Sequence, residues 1–79
     1  MYRGYEVIKT EIGDIAGHIW KHLDKEGETA YSELKKAIIE KHAIEDYFFV
    51  MAIGWLLREN NIIIVNDGIK FDNSKVKIQ

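Results

Sequence analysis

Isoleucine and leucine recur along the first third of the chain at helical spacing. Ile8, Ile12, Ile15, Ile19 and Leu23 step by four, three, four and four residues, and Glu11, Asp14, His18, Lys21 and Lys25 fall on the opposite face. This pattern predicts an amphipathic helix of about 15–18 residues, starting near Val7 after a loose lead-in at 1–5 and stopping near Gly27. Thr29-Ala30-Tyr31 reads as a short β-compatible segment, with Ser32 as the N-cap of a second helix reaching about Lys41. That helix is expected to bury Leu34, Ala37 and Ile38 and to turn Ile39 away. After a connection at 42–45, a third helix over about 46–59 presents an inner stripe of Phe49, Ala52, Ile53 and Leu56. Its outermost stripe is Tyr47, Met51, Gly54 and Arg58, with Phe48 and Trp55 on one flank and Val50 and Leu57 on the other.

Asn60-Asn61 breaks the third helix. Ile62-Ile63-Ile64-Val65 is a β-branched strand, Asn66-Asp67-Gly68 is a tight-turn signal, and Ile69-Lys70-Phe71 is the expected return. Asp72-Asn73-Ser74 marks a further turn, and 75–79 alternates like a last strand. Helix, short strand, helix, helix and hairpin together describe an α+β winged helix-turn-helix, three helices with a small antiparallel sheet as the wing. The chain has 79 residues. One such domain fills it, 1–79 with a core of about 7–71, leaving no room for a separate catalytic module.

The segment 47–57 holds eleven residues without one charge. It is too short for a membrane span, which needs about 20 apolar residues, so no membrane partner is expected. A helix that is apolar nearly all round must be covered on most sides, by its own domain or by another chain. The formal charge of −2 and pI near 5.9 are wrong for a strong nonspecific nucleic-acid binder. There is no Cys, which excludes thiol chemistry and Cys-ligated zinc and fits a reducing cytoplasm. The first nine residues lack the long apolar core of a signal peptide, and a cytoplasmic location is expected.

Some residues carry a family resemblance. Ile12-Gly13, Ala16-Gly17-His18-Ile19-Trp20, Ser32-Glu33-Leu34 and the run from Ala52 through Gly54-Trp55-Leu56-Leu57-Arg58-Glu59 to Ile62 resemble a family of small bacterial and archaeal winged helix-turn-helix proteins of unknown function. The similarity covers about 8–71, and its most specific part is the run entering the wing. The resemblance implies a stand-alone winged helix, considered DNA-binding by fold, with no established activity or ligand and no catalytic residues to carry over. Asn60-Asn61 stands where a Gly-Lys-type turn is common in such domains, which removes a basic residue from the base of the wing.

Two readings of function compete. In the first, the third helix mediates homodimerisation or docks a protein partner, with Phe48, Met51 and Trp55 as anchors, because aromatic and Met side chains are common at interfaces. In the second, the protein is a DNA-binding regulator, with Tyr47, Met51 and Arg58 facing the groove and Lys70, Lys75 and Lys77 on phosphates. A reading helix needs Arg, Lys, Asn or Gln on its outer face, and this one has none before Arg58. Glu45 and Asp46 would also meet phosphates with the wrong sign. From residue 58 to 79, four positive charges face three negative ones, too few for an interface built on many phosphate contacts. The first reading is preferred.

The remaining chemistry is sparse. Gly13 and Gly17 share a face with Trp20, and Gly54 adjoins Trp55. Interior glycines cost about 1 kcal/mol each relative to Ala, so close helix–helix approach, with indole packed over bare backbone, is expected; room for a ligand is the alternative. Asp14, His18 and His22 have ligand-like spacing for a divalent metal but lack any HExxH pattern, and ordinary surface histidines are expected. His42 is expected to serve a helix C-terminus. No catalytic elbow, P-loop or dinucleotide fingerprint occurs, and no enzyme activity, catalytic residue, cofactor, metal or small-molecule substrate is expected.

Overall fold

The computed structural model describes residues 4–66, 68 and 70–79, with side chains from Val7 onward. Three helices pack on a three-stranded sheet in the order α1 Gly4–Glu26, β1 Thr29–Ala30, α2 Tyr31–His42, α3 Asp46–Arg58, β2 Ile62–Val65 and β3 Lys75–Ile78. The fold is a winged helix-turn-helix.

Helix α1 buries Ile15, Ala16, Ile19 and Leu23, the stripe that its periodicity announces. It begins at Gly4, inside the stretch expected to be a lead-in, and Val7 and Ile8 remain exposed. At the other end Gly27 adopts φ +82°, and its N–H donates to the Leu23 carbonyl at 2.8 Å. This left-handed glycine stop is the one the sequence signals.

Helix α2 starts one residue before Ser32, with Ala30 as its cap residue and no side-chain cap. Ser32 is therefore not the N-cap. The Tyr31 N–H, one of the first-turn donors without an intrahelical partner, donates to the Ser74 carbonyl at 2.8 Å. Leu34 and Ile38 are buried as expected. Ala37 is only half-buried, and Ile39 is not turned away but packs against the edge of the core. Helix α3 buries Phe49, Ala52, Ile53 and Leu56. It ends in a Schellman arrangement: Asn60 takes φ +62°, its N–H reaches the Leu57 carbonyl at 3.0 Å, and the Asn61 N–H reaches Leu56 at 2.9 Å.

The sheet order is β1-β3-β2, all antiparallel. β3 is the central strand, with Thr29 opposite Val76 and Ile62 opposite Ile78. The hairpin therefore does not return through residues 69–71. Asp67 and Ile69 lie outside the described residues, and Phe71–Asn73 forms a 3₁₀ turn. Two contacts hold this longer loop. The Asn66 amide donates to the Ser74 hydroxyl at 2.8 Å, and the Phe71 ring packs edge-on against Tyr31 with centroids 4.7 Å apart. Tyr31 in turn meets Phe49 edge-on at 5.6 Å, which links the loop to the core. The core accordingly includes Val76, beyond the 7–71 stretch.

Candidate interaction surface

With its inner stripe committed to the core, α3 turns a broad apolar surface outward. Tyr47 is 56% exposed, Met51 45% and Trp55 47%, and Val50 and Leu57 are exposed beside them. Phe48 is half-buried at the edge of the core, its ring 4.9 Å from that of Tyr47. Of the three anchors expected at 48, 51 and 55, Met51 and Trp55 are thus the open ones. Between Asp46 and Arg58 the helix carries no charge.

Trp55 also forms one wall of a groove against α1. Gly13, Ala16, Gly17, Trp20, Lys21, Leu56 and Asn61 line the rest of this open groove of about 510 Å³. A second depression, lined by Lys9, Ile12, Gly13 and Trp55, adjoins it. The glycines do not serve close helix approach within the chain. A Cβ placed on Gly13, Gly17 or Gly54 would meet nothing within 4 Å, and all three positions are exposed. Gly13 and Gly17 line the groove beside Trp20, which is 38% exposed. The sequence hint was the Gly-x-x-x-Gly-x-x-Trp spacing in α1, but which neighbour those glycines face depends on the crossing of α1 and α3.

The basic residues considered for nucleic acid are dispersed. Tyr47 and Arg58 sit at opposite ends of α3, about 16 Å apart along the axis at 1.5 Å per residue. Lys75 and Lys77 are exposed on one face of β3, opposite the side that buries Val76, and Lys70 is exposed in the wing loop. The structure therefore brings Lys75 and Lys77 together and leaves Tyr47 remote from Arg58.

His18 finds a partner that its spacing to His22 does not reveal. Its ring stacks on His42 of α2, centroids 3.7 Å apart and planes within 10°. Among the described residues no three His, Asp or Glu side chains are grouped as a metal site would require, and no helix is long and apolar enough to cross a membrane.

Comparisons with known proteins agree with this architecture. The chain is 39% identical over 61 residues to the uncharacterized protein MJ1608 of Methanocaldococcus jannaschii, an alignment covering 77% of this chain and 84% of that protein. No solved structure matches it. The family described as "Winged helix-turn-helix domain (DUF2582)" matches residues 7–73, a span that takes in α1 from Val7 onward, β1, α2, α3, β2 and the wing loop. On that match the chain belongs to this winged helix-turn-helix family.

Proposed function

We propose that the protein is a non-enzymatic winged-helix module that self-associates through the face formed by α3 and α1. The observation that carries this reading is the half-exposure of Trp55, in the last turn of a helix with no charge between its ends. A single chain seldom leaves Trp, Met, Tyr and Val contiguous in water, and such a patch marks an interaction surface. The occupant best suited to it is a second copy of the chain. The α3 side of the face carries no charge between Asp46 and Arg58, and its cations, Lys9 and Lys21, come from the α1 side. A largely apolar partner suits it, and the same face on another copy meets that condition by two-fold symmetry. In such a pair the groove over Gly13 and Gly17 would take a projecting side chain from the facing α3, and Met51 and Trp55 would be the anchors.

Sedimentation at micromolar concentration tests this directly. The expected result is a dimer, with Trp55→Asp and Met51→Glu both giving folded monomers. A wild-type monomer with intact far-UV circular dichroism defeats the proposal.

DNA-binding regulation is the second reading, supported by the exposed pair Lys75 and Lys77, with Lys70 in the same wing and Arg58 closing α3. Under it, affinity for duplex DNA would fall steeply as salt rises, and Lys75→Gln/Lys77→Gln would weaken it uniformly across sequences. The absence of Arg, Lys, Asn and Gln from α3 before Arg58 makes it the weaker account.

A further inference from the structure

A different part of the molecule concentrates positive charge. The C-terminal halves of α1 and α2 flank a cleft of about 320 Å³, within the size range of small-ligand sites. Its lining includes His18, Lys21, His22 and Lys25 from α1 and Lys41 and His42 from α2. The chain as a whole is acidic, yet this cleft sets three lysines and three imidazoles against the single carboxylate of Glu26. Among the described residues, none of Lys21, Lys25 and Lys41 has an ion-pair partner.

Helix electrostatics explain only part of this arrangement. Lys25, Lys41 and His42 occupy last turns, where the macrodipole favours cations. His18, Lys21 and His22 lie further back along α1, beyond the reach of that effect, and still converge on the same cleft. Bringing like charges together without a counter-charge is unfavourable, and an anion seated among them removes the conflict.

We propose that this cleft binds a small phosphate-bearing anion, held by Lys21, Lys25 and Lys41 together with the imidazoles of His18, His22 and His42. Phosphate suits the donor set, because ammonium groups and imidazoles are compact donors that surround a tetrahedral anion, whereas no Arg is present to grip a planar carboxylate in a bidentate fork. His42, stacked on His18, adds a proton linkage. His42 is held below its ordinary value of 6.5 by partial burial, then by His18 and Lys41. The groups facing it across the cleft are His18, Lys21, His22, Lys25 and Glu26, so an entering anion would be the strongest negative charge in its surroundings. Binding would therefore raise the His42 pKa and draw in a proton. The site stands apart from self-association, since Lys21 alone borders both this cleft and the α1–α3 groove.

The test is a titration of the full chain with inorganic pyrophosphate, followed by imidazole and amide NMR, with sodium sulfate at matched ionic strength as control. The expected result is a saturable shift confined to the cleft. At saturation His42 should titrate at a higher pH than in the free protein, because the protonated form binds the anion more tightly. Lys25→Gln and Lys41→Gln, both at exposed positions clear of the groove, should each weaken binding severalfold with unchanged circular dichroism. Non-saturating shifts shared with Lys36, Lys70 and Lys77, an equal response to sulfate, or unchanged affinity in both lysine variants would overturn the proposal. So would a response to a short DNA duplex with none to pyrophosphate, which would make the cleft a nucleic-acid contact instead.

Discussion

His18 and His42 lie face to face, one from α1 and one from α2, with ring centroids 3.7 Å apart and planes 10° from parallel. Neutral imidazoles stack without penalty, but two imidazolium rings at this distance repel, and Lys41 stands beside them. Burial, His18 and Lys41 together lower the His42 pKa from 6.5. The sign of the consequence follows. With the folded value depressed, the unfolded chain binds more protons below about pH 6.5, so this contribution to stability is present above that pH and is lost as pH falls through the folded value. In phosphate-free buffer the urea midpoint should be lower near pH 5 than near pH 7.5. His42→Gln should flatten that dependence, and an unchanged pH profile in the variant would refute the assignment.

Gly27 and Ala43 both end helices in the left-handed region, at φ +82° and +52°, and substitutions there should move stability in opposite directions. Gly27→Ala should destabilise by about 1 kcal/mol, because a Cβ strains that backbone even though the space around it is open. Ala43→Gly relieves the same strain but loosens the unfolded chain, so it should be neutral or stabilising by up to about 1 kcal/mol. Chemical denaturation of the two variants side by side measures the contrast.

Gly13→Ala and Gly17→Ala separate helix stability from surface function. Each added methyl meets nothing within 4 Å, so each variant should gain up to about 1 kcal/mol of helix propensity. If a second copy packs into the groove, the same methyls should weaken association. A higher melting temperature with a larger dimer dissociation constant is the expected pairing of results.

Phe49 and Met51 stand two residues apart on α3 with opposite environments, one wholly buried and the other 45% exposed. Phe49→Ala should cost about 3–5 kcal/mol and leave the protein largely unfolded. Met51→Ala should change the stability of the monomer by less than about 1 kcal/mol. Equal effects would mean that the helix is rotated from the orientation described.

Phe71 shields Tyr31 from the wing side, ring against ring at 4.7 Å. Burial is the main cause raising the Tyr31 phenol above 10.0. Phe71→Ala should remove an aromatic pair worth roughly 0.5–1.5 kcal/mol and return the phenol toward 10.0. Ultraviolet titration of the tyrosines would detect it as one fewer late-ionising group.

The helices and the inner face of α3 were legible in the chain because helical periodicity is local. A 3.6-residue repeat places Phe49, Ala52, Ile53 and Leu56 on one side whatever surrounds them, and Gly27 and Asn60 stop helices through their own tolerance of positive φ. The wing misled because its local signal was good. Asn66-Asp67-Gly68 reads as a tight turn, but β2 pairs with residues 75–78, and that register is held by Ser74, Asn66 and the Phe71–Tyr31 contact. The start of α2 misled for a related reason, since the Ser74 carbonyl, 43 residues from Tyr31 in sequence, accepts the Tyr31 N–H and lets the helix begin one residue before Ser32. The groove over Gly13 and Gly17 and the meeting of His18 with His42 arise where two helices cross. Spacing along one helix specifies which residues share a face; only packing specifies what that face meets.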